Sequence, residues 1–352
     1  MTNLEISALE RLTDDAVMIE FAIPDELRAD YSYQPGQHVT VRFDLDGAEA
    51  RRSYSLCSAP YAPDVANARV RIAVKELGPG GFGHLAATKL AVGDLVDVLT
   101  PAGRFHLQDG VEHVGIAAGS GVTPIMSMAA AALARGDQFS LLYGNRTAAS
   151  VMFLEEIADL KDRYPARFTV LHVLSREPRQ APLLSGRIDA ERLQVLLRVL
   201  DCTPEAQYYV CGPMEMVGMA KAVLAAAGIE RTHVHFELFH ADDAPPPAAY
   251  AATEKVLAEG DVELTVQLAG RTTRLAMRKT DDSVLDAVLR ARPETPYSCT
   301  GGVCGTCRAK VVAGEVVMAR DYALEPDEKA EGFILACQSR PLTPAVELDF
   351  DA

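Results

Sequence analysis

The sequence predicts a multidomain protein in which an antiparallel β-barrel is followed by a doubly wound α/β domain and a small cysteine-bearing domain. Three observations support this prediction. Short alternating runs separated by Pro-Gly, Asp-Gly and Gly-Pro-Gly-Gly turns fill residues 1–106, and many short strands with such turns are typical of a closed barrel. Strand and helix patterns then alternate, as they do around a parallel sheet. Finally, four of the seven cysteines lie in the segment 299–337.

The predicted domain boundaries follow these changes in sequence pattern. The barrel covers residues 1–106, the α/β domain residues 107–239 and the third domain residues 259–352. Residues 240–258 contain three consecutive prolines, which predict a stiffened linker. A chain of 352 residues is long enough for each domain to bury a core of its own.

The individual elements are predicted from the period of their apolar residues. Segments 16–21, 38–43 and 70–75 are predicted barrel strands, and the continuously apolar segment 114–118 is typical of a strand buried on both faces. The α/β domain continues with a helix at 125–135, a strand at 139–143, a helix at 152–163, a strand at 168–174, a helix at 189–200 and a strand at 207–211. The third domain has hairpin strands at 262–268 and 272–277, a helix at 284–291 behind the capping residues Ser283 and Asp286, and a last strand at 345–350.

The composition excludes several classes of protein. Apolar residues make up 49% of the chain and charged residues 24%, as in ordinary globular proteins. The formal net charge of −15 argues against a nucleic-acid or anionic-membrane partner. The N-terminus lacks a basic segment followed by an apolar one, and no apolar run is long enough to span a membrane. With Cys57, Cys202 and Cys211 as free thiols, the sequence predicts a cytoplasmic protein.

The strongest chemical signal is the segment 296–308, P-Y-S-C-T-G-G-V-C-G-T-C-R. Cys299, Cys304 and Cys307 have the spacing C-x4-C-x2-C, and Cys337 supplies a fourth thiol, which is the plant-type pattern of [2Fe-2S] ligands. The loop glycines permit the sharp turns that such wrapping needs. A structural zinc site favours paired knuckles of Cys or His, and no histidine follows His240. Disulfides suit small secreted domains instead. The sequence therefore predicts a [2Fe-2S] cluster on these four cysteines.

The first domain carries the motif R-S-Y-S at 52–55, followed by A-V-K at 73–75 and G-F-G at 81–83. By itself the first motif is an ordinary surface strand, but together the three resemble the flavin domain of the ferredoxin–NADP reductase superfamily. The resemblance implies bound FAD, with Tyr54 over the isoalloxazine ring, Arg52 at the pyrophosphate and Ser55 as a catalytic residue near flavin N5. The residues assigned to FAD in this way are Arg52, Ser53, Tyr54, Ser55, Ala73, Val74, Lys75, Gly81, Phe82 and Gly83.

One position departs from that pattern. Relatives often have Ser or Thr where Gly83 stands, so the pyrophosphate must rely more on backbone amides here. His84 is a candidate to assist, and the alternative is a solvent-exposed loop histidine.

The second domain carries G-S-G at 119–121 between a buried strand and an alanine-rich helix. It is not the G-x-G-x-x-G fingerprint, and alone it would be a tight turn, although free N–H groups at a helix start suit a phosphate. It resembles the nicotinamide-dinucleotide loop of the same superfamily. The resemblance further implies that Ser175 and Arg176 hold the 2′-phosphate of NADPH in preference to NADH, since no acidic residue is seen there to receive a free 2′-hydroxyl. Residues assigned to this nucleotide, or to its contact with the flavin, are Gly119, Ser120, Gly121, Thr123, Arg146, Ser175, Arg176, the catalytic Cys211, Gly212, Pro213 and Phe239.

Further segments outside the cofactor motifs, including Y-A-L-E-P-D-E and the ending L-D-F-D, resemble the reductase subunits of phenylacetyl-CoA epoxidases. The resemblance implies a β-grasp ferredoxin domain and an oxidoreductase that passes electrons from NADPH through FAD and [2Fe-2S] to a di-iron oxygenase component. The acidic stretch 325–331 is either a docking surface or, as the pattern favours, a solvated helix cap. Alternative functions are the reductase of another aromatic or alkane oxygenase, a stand-alone diaphorase or flavin reductase, and a non-catalytic assembly protein of the oxygenase.

Overall fold

The computed structural model describes residues 2–45, 47–62, 67–78, 81–239 and 261–352, together with residues 246, 247, 250, 253 and 254. The chain forms two compact units, Met1–Glu237 and Leu238–Ala352. The predicted linker 240–258 lies outside the described residues except at the five single positions. Among the described residues, no helix is both long and apolar enough to cross a membrane.

An antiparallel barrel forms the first part of the first unit. Its strands are β1 (Thr2–Thr13), β2 (Ala16–Ala22), β3 (His38–Leu45), β4 (Ala48–Ser55), β5 (Arg69–Lys75) and β6 (Leu95–Val98), and helix α1 (Phe82–Thr88) lies between β5 and β6 in the chain. The strand order is β4-β3-β6-β1-β2-β5. A bridge between Leu56 and Ile72 joins the two outer strands. The predicted barrel is therefore confirmed, and its interior is filled by alternate strand residues such as Ile6, Ile19 and Val41.

A parallel α/β sheet forms the rest of the first unit. Its strands are β7 (Glu112–Ala118), β8 (Gln138–Asn145), β9 (Phe168–Leu174), β10 (Gln207–Cys211) and β11 (Val234–Glu237), and its helices are α2 (Val122–Arg135), α3 (Leu154–Arg163), α4 (Ala190–Leu200) and α5 (Met214–Ala226). The order is β11-β10-β7-β8-β9, with every pairing parallel. The predicted doubly wound domain is confirmed. All five strands end at one edge of the sheet, where ligands of such folds bind.

Three helices begin at positions other than those predicted, and α4 differs by a single residue, since Asp189 is its N-cap and the helix begins at Ala190. Helix α2 starts at Val122 instead of residue 125, because Pro124 lies in its first turn, where a missing N–H is tolerated. Helix α3 starts at Leu154 instead of residue 152, because Phe153 adopts a left-handed conformation with φ of 59° before the helix. Periodicity locates a helix well, but the backbone conformation of its flanking residues determines where it begins.

A stack of aromatic rings is buried in the α/β domain. The ring of Tyr209 lies between His113, at 6.0 Å, and His235, at 5.3 Å. Nε2 of His235 lies 2.8 Å from Oε1 of Gln207, an acceptor, so Nε2 is the protonated ring nitrogen in this contact. Burial, together with the charges of neighbouring histidines, lowers the pKa of His235 to about 4.

We therefore expect acid to destabilise the first unit through His235. Its unfolded imidazole takes up a proton near pH 6.5 and its folded imidazole near pH 4. The stability that is present above pH 6.5 is thus lost as the pH falls towards 4, by about 2 kcal/mol after solvent screening. Urea unfolding at pH 7 and pH 5 measures this loss. His235→Phe keeps a ring on Tyr209 without the titration and should flatten the pH dependence; an unchanged slope would contradict the assignment.

The second unit contains a mixed sheet with a helix packed against it. Its strands are β12 (Val262–Leu268), β13 (Arg271–Met277), β14 (Arg308–Ala313), β15 (Val316–Met318), β16 (Phe333–Leu335), β17 (Ser339–Pro341) and β18 (Ala345–Asp349), and its helices are α6 (Val284–Ala291) and α7 (Pro326–Ala330). The main sheet has the order β13-β12-β18-β14-β16, with β12 and β18 parallel. The predicted β-grasp fold is confirmed.

The predicted capping residue and the acidic stretch both have structural roles. Ser283 accepts a hydrogen bond from the backbone N–H of Asp286 at 3.3 Å, so α6 begins where the sequence predicts. Glu325 and Glu328 form a reciprocal capping box at the start of α7. Glu328 is buried and lies 3.0 Å from Nε of Arg308. The acidic stretch therefore caps a helix, as the pattern favours, but the expectation that the stretch is solvated is wrong for Glu328, which is not available to a partner.

Candidate functional site

Several polar side chains meet where the parallel strands of the first unit reach the barrel. Ser55, the last residue of β4, donates a hydrogen bond to Oε2 of Glu237 at 3.1 Å. Nδ1 of His38 lies 3.7 Å from Oε1 of Glu237. Cys211 is paired with Glu237 at the ends of β10 and β11. The structure thus brings the predicted residues Ser55 and Cys211 to one edge and adds a carboxylate and an imidazole to them.

The roles of Glu237 and His38 are not visible in the sequence, because these residues meet only in the folded chain. His38 lies directly opposite Ser55 on the adjacent strand β3. Gly103 leaves room for the imidazole, since a Cβ there would lie 2.7 Å from Nδ1 of His38. Burial, together with the charge of Glu237, raises the pKa of Cys211 well above its usual value. The Cys211 side chain is therefore a neutral thiol and not a thiolate nucleophile.

The G-S-G turn lies against the end of β10. Gly121 approaches so closely that a Cβ on it would lie 2.1 Å from the carbonyl oxygen of Cys211. Thr123 closes the turn by donating to the carbonyl oxygen of Ser120 at 3.0 Å, and Tyr143 donates to that of Gly119 at 3.0 Å. The two predicted nucleotide loops, 119–123 and 211–213, are therefore one continuous surface made of backbone, which fits a ligand that needs close approach to N–H groups.

The predicted flavin residues lie on neighbouring parts of the barrel. Arg52 and Tyr54 project to one face of β4, and the intervening Ser53 projects to the other. Arg52 is exposed, and one of its Nη atoms donates to the carbonyl oxygen of Arg51. The ring of Tyr54 packs on Phe82 at 5.5 Å between centroids. An exposed guanidinium close to an aromatic ring that packs on a second ring fits a ligand with both a phosphate and a flat ring.

The departure at Gly83 has a packing cause. Gly83 is in the first turn of α1, and a Cβ there would lie 2.3 Å from the carbonyl oxygen of Lys75. A serine or threonine would therefore force α1 away from β5. His84 does not replace the missing hydroxyl freely, because its Nδ1 lies 2.6 Å from a carboxylate oxygen of Glu76. Backbone amides near Gly81 are left as the candidate phosphate donors, as the sequence predicts.

The residues predicted for the adenosine end of the nucleotide are brought together at the ends of β8 and β9. The backbone N–H of Arg176 donates to the carbonyl oxygen of Arg146 at 2.8 Å, so the two arginines follow adjacent strands. Ser175 is held in the same way by Asn145 at 2.9 Å. However, an acidic residue reaches this edge: Oδ2 of Asp15 lies 3.2 Å from Nη2 of Arg146. The expectation that no acidic residue lies at Ser175 and Arg176 also overlooks the next residue, Glu177, whose Oε2 accepts a hydrogen bond from the backbone N–H of Ala148 at 2.8 Å. The preference for NADPH stays a prediction.

Phe239 is the one predicted nucleotide-site residue beyond the first unit. It is half-buried and follows Glu237, at which the first unit ends. Its predicted position near the flavin stays a prediction.

The four predicted cluster ligands of the second unit lie in two pairs. Hydrogen bonding links Cys299 with Cys304, and Cys307 with Cys337, and in each pair it lowers the pKa of one thiol (Cys299, Cys337) and raises that of the other. Within the described ranges, no three metal-ligating side chains converge as they would around one ion. The pairing of the thiols agrees with the four-cysteine [2Fe-2S] cluster that the sequence predicts.

Each of the four sulfurs also accepts a hydrogen bond from the protein. Such donors favour the thiolate form that binds iron, and they tune the potential of a cluster. The sequence predicted the ligands but not these partners, of which two are side chains. The donors are the N–H of Gly301 to Cys299 at 3.4 Å, Oγ1 of Thr306 to Cys304 at 3.2 Å, the N–H of Cys337 to Cys307 at 3.5 Å, and Nε2 of Gln338 to Cys337 at 3.6 Å.

Three protein-family models match successive parts of the chain. The oxidoreductase FAD-binding domain matches residues 3–107, the oxidoreductase NAD-binding domain residues 116–222, and the 2Fe-2S iron-sulfur cluster binding domain residues 266–342. The matches agree with the barrel, the parallel sheet and the cysteine-bearing unit.

Proteins similar to the whole chain are also known. A component of the 1,2-phenylacetyl-CoA epoxidase of Escherichia coli (strain K12) is 40% identical, over 99% of this chain and 98% of its own. The ferredoxin reductase component of a 3-ketosteroid-9-alpha-monooxygenase of Rhodococcus rhodochrous is 32% identical, over 99% of this chain and 96% of its own. The solved structure of phthalate dioxygenase reductase shares the fold, with a TM-score of 0.60 and 24% identity, over 99% of this chain and 98% of its own.

These matches cover the chain from end to end, and the relatives named are components of oxygenase systems. The chain therefore belongs to the ferredoxin–NADP reductase superfamily, as an oxidoreductase that joins FAD-binding, NAD-binding and 2Fe-2S cluster-binding domains in one polypeptide.

Proposed function

We propose that this protein passes electrons from NADPH through FAD and a [2Fe-2S] cluster to the di-iron oxygenase component of a phenylacetyl-CoA epoxidase. The observation that carries the proposal is the full-length similarity, at 40% identity, to a component of such an enzyme. The paired thiols and the polar edge at Ser55 support the electron path. The cytoplasm is the proposed location, because the predicted ligand cysteines must stay reduced before the cluster is assembled.

Each of the predicted site residues has its own role in the proposed reaction. Tyr54, whose ring packs on Phe82, would cover the ring of the flavin, and Arg52 would pair with its pyrophosphate. Ser55 offers a hydroxyl whose orientation is fixed by its bond to Glu237. Cys211 fills the space at the nicotinamide as a neutral thiol. When bound, the flavin supplies the conversion of a two-electron donor into single electrons, which the protein itself cannot perform.

The predicted cluster ligands perform the last step of the path. Cys299 and Cys304 would hold one iron, and Cys307 and Cys337 the other, as their pairing suggests. Thr306 and Gln338 donate to the sulfurs and so help to set the potential at which the cluster accepts an electron. The domain boundaries 1–106, 107–239 and 259–352 are proposed as the units of this path.

The preference for NADPH is tested at Arg176. The exposed guanidinium suits a dianionic 2′-phosphate, and a charge-assisted hydrogen bond of this kind contributes about 1.5–3 kcal/mol. We expect Arg176→Ala to raise the KM for NADPH by about tenfold or more and to leave that for NADH unchanged. Arg198→Ala, an exposed arginine on α4, is the matched control. Equal changes in the KM for NADPH and for NADH would show that Arg176 does not bind the 2′-phosphate.

The acceptor is tested with purified components. Full-length holoprotein is mixed with the di-iron oxygenase of a phenylacetyl-CoA epoxidase, phenylacetyl-CoA and NADPH, and epoxidised product is measured together with NADPH consumption. We expect product in proportion to NADPH consumed. Reduction of dyes without any epoxidised product would contradict this acceptor. It would favour a diaphorase or the reductase of another oxygenase. The 32% identity to a 3-ketosteroid monooxygenase reductase makes a steroid oxygenase the second acceptor to assay.

A further inference from the structure

Asp15 connects two parts of the first unit that carry different predicted ligands. It lies in the turn between β1 and β2 of the barrel. Its Oδ2 atom lies 3.1 Å from Nζ of Lys75, a predicted flavin residue, and 3.2 Å from Nη2 of Arg146, a predicted nucleotide residue. Oδ1 accepts a hydrogen bond from Thr13 at 2.9 Å. The carboxylate is therefore held in place from three sides.

The surroundings of Asp15 favour the ionised form of its carboxylate. Partial burial raises the pKa of Asp15, but hydrogen bonds from Lys75 and Thr13 and the charges of Lys75 and Arg146 lower it more, so that the net pKa lies below the usual value. The Arg146 side chain is still 53% exposed, so a ligand could reach it. A fixed negative charge thus stands beside a predicted anion-binding arginine.

Nicotinamide nucleotides differ at the adenosine ribose, where NADPH has a phosphate dianion and NADH a free hydroxyl. A carboxylate repels the dianion and accepts a hydrogen bond from the hydroxyl, whereas arginine favours the dianion. Arg146 follows β8, and Arg176 follows the adjacent strand β9, with the backbone N–H of Arg176 bonded to the carbonyl oxygen of Arg146. Asp15 therefore acts directly on Arg146, one of the two arginines at the predicted adenosine edge.

We propose that Asp15 is a specificity-determining residue, whose carboxylate beside Arg146 weakens the binding of the 2′-phosphate and so limits the preference for NADPH over NADH. The inference rests on the proposed nicotinamide-nucleotide function of this edge. Asp15 acts in two ways: it occupies one donor of Arg146, and it adds a negative charge near the phosphate.

Asp15→Asn tests the proposal, because asparagine keeps the size of the side chain and an acceptor for Thr13. The dissociation constants of 2′,5′-ADP and 5′-AMP are measured by calorimetry on the FAD-loaded full chain. We expect 2′,5′-ADP to bind about three- to tenfold more tightly to the variant, because the change removes a partly screened negative charge beside Arg146 and releases one of its donors. The constant for 5′-AMP should stay within about twofold. The ratio of kcat/KM for NADPH over NADH should rise by the same factor as the 2′,5′-ADP affinity.

Two controls separate the proposal from its alternatives. Asp25→Asn removes the carboxylate of another exposed barrel ion pair, with Arg28, and should change neither constant. In an Arg146→Gln background, Asp15→Asn should give a smaller gain, since no donor is then released. An unchanged ratio of kcat/KM for NADPH over NADH in Asp15→Asn would overturn the proposal, as would equally weaker binding of 2′,5′-ADP and 5′-AMP. Asp15 would then have only a structural role.

The effect of Asp15→Asn can be distinguished from a failure of the proposed NADPH-dependent function. If the wild-type protein binds 2′,5′-ADP no more tightly than 5′-AMP, NADPH is not its preferred donor. The change in ratio caused by Asp15→Asn would still be measurable, and its sign would still decide the part played by Asp15.

Discussion

Replacing Cys304 with serine should stop electron transfer to a one-electron protein acceptor while leaving direct reduction of a dye by the flavin intact. Changing a mere hydrogen-bond partner of a metal ligand costs about 10–100-fold in metal affinity, so loss of a ligand sulfur should reduce the transfer by about 100-fold or more. Cys304 is one member of a thiol pair, and its sulfur already accepts a bond from Thr306. Under the proposed pairing of the ligands, its loss would leave one of the two irons with a single protein sulfur.

The measurements for this variant are iron and labile sulfide content, visible absorption, and the rates of dye and protein reduction by NADPH. Cys202→Ser is the matched control, because Cys202 is a half-buried free thiol of the α/β domain. It should retain iron and both activities. Protein-acceptor reduction at the wild-type rate in Cys304→Ser would contradict the electron path, and zinc in place of iron in wild-type protein would contradict the cluster itself.

Gly121→Ala should disrupt the two predicted nucleotide-binding loops at the end of the parallel sheet. The added Cβ would lie 2.1 Å from the carbonyl oxygen of Cys211, and backbone on both sides gives it nowhere to move. We expect Gly121→Ala to lower the free energy of unfolding of the first unit by about 3 kcal/mol or more. Because the two nucleotide loops share this contact, nicotinamide-nucleotide binding should be lost as well. Thermal unfolding and binding of 2′,5′-ADP measure the two effects.

Gly218→Ala is the opposite control for that change. Gly218 is inside α5, and apart from its neighbours in the chain and the backbone of its own helix, no atom of the described residues lies within 4 Å of the place of its Cβ. Alanine in a helix interior is favoured over glycine by about 0.5–1 kcal/mol, so this variant should be slightly more stable than the wild type. If Gly121→Ala were as stable as Gly218→Ala and bound 2′,5′-ADP normally, the close packing of the two loops would not matter for binding.

Features that depend on local sequence were predictable, and features that depend on distant contacts were not. The spacing of Cys299, Cys304 and Cys307 is local, since one loop must wrap one cluster, and the helix 284–291 follows from its cap at Ser283. The alternation of strands and helices is similarly local and predicts the fold class. By contrast, the contacts of Glu237 with Ser55 and of Asp15 with Arg146 join residues that are far apart in the chain.

The same distinction explains the errors in detail. The beginning of α3 was misplaced because the left-handed conformation of Phe153 has no signal in a periodicity pattern. The segment that follows β9 itself contains an acidic residue, Glu177, and a second carboxylate, that of Asp15, reaches Arg146 from a distant part of the chain. A parallel sheet collects the ends of several strands, and here the barrel turn containing Asp15 adds a further charge to them.

Glu237 is both the carboxylate that holds Ser55 and the residue at which the first unit ends. The chain thus leaves the first unit at the residue that orients the Ser55 hydroxyl. We therefore expect changes in the chain directly after Glu237 to disturb the position of that hydroxyl, which is predicted to lie near the flavin.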